Sequence, residues 1–322
     1  MNKRYTSFVI LLFSFAWYTT NAQQRPLLTP LYEDYSAWNP AAFSPNGLFN
    51  GGVNYYKINS GLENAPTSMY ASFHLPFVYQ KMAVGGFIDK IQYANFSETN
   101  IGGAFNYKMR LREYSSLAGG LGASVGYARF GKDNFDPRDL SDNLLQSDDN
   151  TSFTYNFSAG AVYRHKFSSG FASEEIVHQF LGSLSAKQII PGGDFIHGSS
   201  YKIQRHTHFY LLAAYAYAFS PNPAIIPSVY LTSSVTFDQP LHFALVFNAD
   251  FNKIFEADLG MDTTGKILLG AGFSLNNVVE DDNIKIKLGS SYDTRPFTTG
   301  SRTGFTLSMF YTYDYDLTSY EL

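Results

Sequence analysis

Residues 304–314 read GFTLSMFYTYD. Phe305, Leu307, Met309, Tyr311 and Tyr313 share one parity; Gly304, Thr306, Ser308, Thr312 and Asp314 share the other, broken only by Phe310. Side chains two apart lie on the same face of a strand, so this segment is a strand with one apolar and one polar face. The same period runs back through the chain. Ile284, Ile286, Leu288 and Tyr292 oppose Lys285, Lys287, Gly289 and Asp293. Leu241, Phe243, Leu245, Phe247 and Phe251 oppose His242, Asn248 and Asp250, and Phe255, Leu259 and Met261 oppose Glu256, Asp258 and Asp262. Ile101, Phe105, Tyr107 and Met109 oppose Asn106, Lys108 and Arg110, and Phe153, Tyr155, Phe157 and Tyr163 oppose Thr154, Asn156, Ser158 and Arg164. A soluble sandwich also alternates. Here Tyr and Phe bracket many of the runs, as aromatic girdles at two membrane interfaces do.

Composition narrows the class. Of 322 residues, 45% are hydrophobic, 17% aromatic and 16% charged, where a soluble domain carries roughly 25% charged residues. The net charge of −4 gives no basic footprint for nucleic acid. Residues 1–22 are expected to be a signal peptide. Lys3 and Arg4 form its positive start, Phe8 to Tyr18 (FVILLFSFAWY) its apolar stretch, and Ala22 its small residue before cleavage at Gln23. An exported chain with 0 cysteines is not held by disulfides. No later stretch approaches about 18 consecutive apolar residues. These features together predict an all-β, antiparallel transmembrane barrel in an outer membrane.

Strands are expected at 47–57, 67–76, 81–91, 97–110, 114–130, 151–166, 177–188, 205–219, 225–236, 241–251, 254–262, 266–276, 283–294 and 302–315, about 14 in all, an even number that closes an antiparallel barrel. With the first strand running outward, the two longest connections, 131–150 and 189–204, both fall outside, and the inner turns are short except 167–176. The expected organisation is 1–22 signal peptide, 23–46 periplasmic segment, 47–315 barrel and 316–322 tail.

No constellation carries chemistry. GGLGASVG (119–126) lacks the helix that a phosphate loop requires; Gly120, Gly122 and Gly126 share one strand face and leave room for a lumen or plug. His206 and His208 sit two apart with no third metal ligand in view. The loop 131–150 holds Asp133, Asp136, Asp139, Asp142, Asp148 and Asp149, but not at calcium-loop spacing. Leu140, Leu144 and Leu145 within it are candidate outer-loop contacts for a partner. No G-x-S-x-G elbow is present, and His74 falls on the polar parity of its strand. Catalytic residues, metal and cofactor are therefore expected to be absent.

One motif remains. Residues 35–43 read YSAWNPAAF, a poor helix and a poor strand, because Pro40 lacks an N–H and pushes Asn39 out of the α region. This stretch, followed by Gly47, resembles the N-terminal hallmark of the PorP/SprF family, outer-membrane proteins of the type IX secretion system in the Bacteroidetes lineage. The C-terminal KLGSSYDTRPFTTGSRTGFTLSMFYTY (287–313) is similar to that family's last hairpin, with its Tyr292–Asp293 pair before the loop. Here Ser44, Pro45 and Asn46 delay the glycine, and a tail follows the last strand. The resemblance implies a Gram-negative outer-membrane scaffold that supports export or surface anchoring of a partner. That partner would be a secreted adhesin, bound through its C-terminal sorting domain, with periplasmic secretion or gliding components and outer-membrane lipid also in contact. Trp38, Asn39, Pro40, Ala41, Tyr292 and Asp293 become candidates for a partner or assembly segment. A competing resemblance is to the long-chain fatty-acid transporters, which share the Asn-Pro-Ala motif but have a longer plug segment.

Overall fold

In lipid, every backbone N–H and C=O needs a partner on a neighbouring strand, so strands cross a membrane only as a closed or closing sheet. The computed structural model describes residues 35–44, 49–57, 65–77, 81–93, 96–131, 150–169, 176–190, 193–195, 202–204, 207–217, 244–251, 254–262, 265–276, 282–293 and 303–313. Within these, fifteen strands are numbered in chain order: β1 Phe49–Lys57, β2 Thr67–Phe77, β3 Met82–Tyr93, β4 Phe96–Arg112, β5 Ser115–Phe130, β6 Asn150–Ser169, β7 Ile176–Lys187, β8 Gly193–Phe195, β9 Lys202–Gln204, β10 His208–Tyr217, β11 Ala244–Phe251, β12 Phe255–Asp262, β13 Lys266–Asn276, β14 Asp282–Asp293 and β15 Thr303–Tyr313. No helix among the described residues is long and apolar enough to cross a membrane.

Thirteen strands form one sheet in the order β10-β7-β6-β5-β4-β3-β2-β1-β15-β14-β13-β12-β11. Sheet neighbours pair antiparallel, and the first strand pairs with the last, Val53 opposite Met309. That seam brings the two ends of the sequence together, as barrel closure requires. β10 and β11 are the sheet's edges among the described residues. The strand expected at 225–236 falls between them in sequence and lies outside the described residues. β8 and β9 pair with each other in a separate small sheet, inside the expected outer loop 189–204.

The faces are the reverse of a soluble sandwich. Leu121 is 68% exposed and Phe153 81%, while Asn54 is 2% and Ser308 1% exposed. Along the thirteen-stranded sheet the apolar parity faces outward: Val53, Phe73, Ile88, Ile101, Val125, Leu259, Leu288 and Leu307 are all exposed. The polar parity is buried, including Ser68, Ser72, Asn106, Thr154, Ser185 and Thr306. Burying polar and exposing apolar side chains costs free energy in water and is favourable when the outer solvent is hydrocarbon. The fold is therefore an outer-membrane β-barrel.

The apolar band is edged by aromatic pairs. At the end bearing 131–149, Tyr127 and Phe153 meet edge to face at 5.4 Å. At the opposite end, where Glu113–Tyr114 turns tightly between β4 and β5, His165 and Phe167 meet at 4.2 Å and Phe49 and Tyr311 at 6.0 Å. These match the girdles that amphipathic rings form at two interfaces.

Candidate functional site

Asn39 sits before a proline, and its backbone is extended, φ −131° and ψ 113°, as the pre-proline clash requires. Pro40 then opens a short 3-10 turn, Pro40–Ala42, at the position where a missing N–H costs nothing. The Asn39 Oδ1 accepts from the Ala41 N–H at 2.8 Å and caps the turn. A second 3-10 turn, Tyr35–Ala37, precedes it; the Trp38 and Asn39 N–H groups donate to the Tyr35 carbonyl at 3.1 and 3.0 Å. Thus the residues that spoil helix and strand make two linked tight turns.

All ten residues from Tyr35 to Ser44 are buried. They lie against the inward faces of β2, β4, β5, β6, β7 and β10, a set of strands that one short segment reaches only because the sheet curls around it. The barrel satisfies the carbonyls that the turns leave free. Lys187 Nζ donates to the Ala37 carbonyl, Ser185 Oγ to the Trp38 carbonyl at 2.7 Å, and Asn106 Nδ2 to the carbonyls of Ala41 at 3.2 Å and Phe43 at 2.6 Å. The Asn39 Nδ2 donates in return to Ser183 Oγ at 2.8 Å and to the carbonyls of Ala161 and Leu184 at 3.0 and 3.2 Å. Arg164 donates to the Tyr35 hydroxyl at 2.6 Å, and Ser36 and Tyr70 share a hydroxyl pair at 3.1 Å. Aromatic contacts complete the seat. Phe43 stacks on His74 at 4.3 Å and Trp38 on Tyr210 at 6.3 Å. Buried backbone must be paired somewhere, and here the inner wall supplies the partners.

Three inward glycines let the segment approach. A Cβ on Gly120 would lie 2.4 Å from the Ala41 nitrogen and 2.5 Å from the Pro40 carbonyl carbon. One on Gly160 would lie 2.0 Å from Asn39 Oδ1, and one on Gly85 would lie 2.7 Å from the Phe43 ring. Gly120 was the feature legible in GGLGASVG; Gly85 and Gly160 carried no such signal.

Asn39→Leu tests the seat. It keeps the branching and heavy-atom count of the side chain, puts methyl groups where the amide was, and removes every hydrogen bond of the amide. Leaving several buried partners unsatisfied costs on the order of 3 kcal/mol, or about 100-fold in the ratio of docked to free segment. Limited proteolysis of the folded barrel should then cleave the N-terminal segment far faster than in wild type. Equal cleavage would show that Asn39 does not hold it.

The other candidate residues are elsewhere. Tyr292 and Asp293 end β14, with Tyr292 in register with Ile267 and Thr303, and Asp293 with Lys266. The hydrogen bonds and ring contacts of the segment run to β2–β10, a different stretch of wall. Leu140, Leu144, Leu145 and the acidic loop around them lie outside the described residues, as does His206. His208 begins β10, its ring tilted on Tyr210 at 6.4 Å. Among the described residues no three His, Cys, Asp or Glu side chains come together as metal ligands. Of the residues that hold the segment, Asn106 and Arg164 are readable as polar parity, while Ser183, Ser185 and Lys187 fall in the run 177–188, whose alternation is weak.

With this geometry established, comparison with known proteins adds identity at the family level. The family model described as Type IX secretion system membrane protein PorP/SprF matches residues 20–319. No curated protein sequence matches the chain. Among solved structures, the CymD monoaromatic hydrocarbon channel is similar with a TM-score of 0.50 at 10% identity, covering 86% of this chain and 91% of that one. A Pseudomonas aeruginosa FadL homologue gives 0.46 at 11% identity over 86% and 92%, and the KdgM porin 0.35 at 9% over 83% and 99%.

Proposed function

Because the chain belongs to the PorP/SprF family of type IX secretion system membrane proteins, we propose that it is a plugged outer-membrane scaffold. In this role it supports export or surface anchoring of a secreted partner such as an adhesin. One observation carries the reading: Tyr35 to Ser44 fill the space inside the curl of β2–β10, and the inner wall is built to hold them. A barrel whose lumen is occupied by its own buried chain presents rims and loops to a partner. It does not present an open conduit. On this reading Trp38, Asn39, Pro40 and Ala41 form the plug on which the secretion assembly depends, without being needed to fold the barrel wall. Partner contact falls to the loop-bearing rim, where Leu140, Leu144, Leu145, Tyr292 and Asp293 remain the candidates. The secreted partner's sorting domain and periplasmic secretion or gliding components are the expected company. Of the competing readings, a fatty-acid-transporter type is disfavoured by the polar lining against the segment, Asn106, Ser183, Ser185 and Lys187, which suits no apolar solute, and a porin type by the buried segment that occupies the lumen.

The experiment is a chromosomal deletion complemented by wild type or by the double variant Trp38→Ala/Asn39→Ala. Surface protein is read by labelling intact cells. The deletion is expected to lose one large surface protein from the cell exterior. The double variant is expected to yield a folded barrel with reduced display of that protein. Unchanged surface proteins in the deletion strain would sink the scaffold reading. Solute uptake lost in their place would support transport.

A further inference from the structure

The outer wall changes character at one level. A single register row crosses six strands: Lys57 opposite Thr67, Thr67 opposite Gln92, Gln92 opposite Ser97, Ser97 opposite Arg129, and Arg129 opposite Thr151. Each of these is the outward-facing parity, and none is buried. One pleat nearer the membrane centre the row reads Tyr55, Met69, Lys90, Thr99, Tyr127 and Phe153. Below that it is apolar, with Val53, Ile88, Ile101, Val125 and Tyr155. The cations Lys57, Lys90 and Arg129 therefore stand at the boundary of the apolar band, at the end that bears the long connection 131–149.

Charge is sorted across this wall. The carboxylates of the same strands at this end, Asp89 and Glu98, are 8% and 7% exposed and face inward. Glu98 is held by Asn100 at 2.8 Å. The outward positions at this end of β1–β6 carry three cations, with Thr, Ser and Gln between them. On the other flank the outward positions at the same end, Leu245, Met261, Ile267 and Thr303, carry no charge. Strands lie about 4.8 Å apart, so Lys90 on β3 stands roughly 10–12 Å from Lys57 on β1 and from Arg129 on β5, which are themselves about 19 Å apart, with hydroxyl and amide donors filling the gaps. Tyr127 and Phe153 form an apolar floor directly beneath.

We propose that Lys57, Lys90 and Arg129, with Gln92 and the intervening hydroxyls, form a binding site for a phosphorylated glycolipid of the outer leaflet. The phosphates sit on the cationic row and the acyl chains lie on the wall below. Lysine and arginine charges attract anionic headgroups at a membrane surface and bury their stems along apolar wall. Spaced cations on alternate strands fit a headgroup with more than one phosphate, whereas a single-phosphate lipid engages one cation at a time. The assignment to the outer leaflet rests on the barrel orientation that puts the long connections outside.

The full-length barrel, purified in detergent, is titrated with three probes: bisphosphorylated lipid A, the same glycolipid without phosphates, and phosphatidylglycerol. Bound lipid is counted by native mass spectrometry. Wild type is expected to prefer bisphosphorylated lipid A. Each cation near an anionic surface contributes about fivefold, so Lys57→Gln/Lys90→Gln/Arg129→Gln weakens that binding by about 100-fold. Lys90→Gln alone weakens it by about fivefold. Folding of every variant is checked by the heat-dependent gel shift of a closed barrel. A control removing three cations from the opposite mouth, Lys81→Gln/Arg110→Gln/Lys166→Gln, is expected to bind as wild type. Equal binding by the triple variant and wild type would overturn the site, and so would an equal loss in the control. Equal preference for phosphatidylglycerol would overturn the glycolipid assignment. None of these outcomes depends on the secretion role, which is read from surface display.

Discussion

Gly120→Val should expel residues 35–44 from the barrel while leaving the barrel itself folded. The added Cβ meets the backbone of Pro40 and Ala41, not a flexible side-chain end. Neither side can yield cheaply. Gly120 is locked into ladders with Asn106 on β4 and Gly160 on β6, and the facing turn is capped by Asn39. Overpacking that cannot relax costs about 1–3 kcal/mol, with larger clashes expected for a branched side chain. Once the segment lifts away it also forfeits its buried hydrogen bonds, at about 1 kcal/mol each. The expected measurements are a marked rise in ion conductance across planar bilayers and rapid proteolysis of the N-terminal segment. The adjacent position is the control. Gly119 faces outward with nothing within 4 Å of an added Cβ, so Gly119→Val should leave both readouts unchanged. If Gly120→Val conducts no more than wild type and keeps its segment protected, the segment is not a plug.

Leu121→Arg, one residue further along β5, should destabilise the barrel by about 2–4 kcal/mol when measured by folding into lipid bilayers. Leu121 is 68% exposed and lies in the register row Leu75, Val84, Phe105, Leu121 and Ala159, well inside the apolar band. For a protein whose outer solvent is water, an exposed leucine changed to arginine stays within roughly 0.5 kcal/mol. For one whose outer solvent is hydrocarbon, the guanidinium loses its hydration and finds no partner. The same substitution thus separates the two solvents. A neutral result in bilayers would remove Leu121 from the lipid-facing wall.

Neighbouring residues 119, 120 and 121 have three different environments: an open patch of outer wall, a plug seat and hydrocarbon. The alternation of a strand tells inside from outside at each of them. It does not tell that Gly120 has Ala41 against it, because that contact joins positions far apart in the chain. The Asn-Pro-Ala turn was equally half-legible. Pre-proline sterics and the capping amide dictate the local bend. Where the bend sits depends on whether a curled wall offers donors at the right places. Asn106, Ser183, Ser185 and Lys187 are ordinary polar residues in sequence, and only the sheet's curvature brings β4 and β7 to one short segment.

What the sequence alone determined is the class of solvent and the inside–outside alternation of the wall strands; it did not show the small β8–β9 pair inside the stretch read as a loop, 189–204. A period of two, few charges and aromatic edges follow from strand geometry and from the cost of bare polar groups in lipid, and those act locally along each strand. Family membership was legible for the same reason, carried in the contiguous stretches 35–41 and 287–313. Only the tertiary structure decided what fills the barrel and which outward residues form one row. Register and curvature place side chains on different strands side by side. They are set by the pairing of the whole sheet, which no single segment encodes.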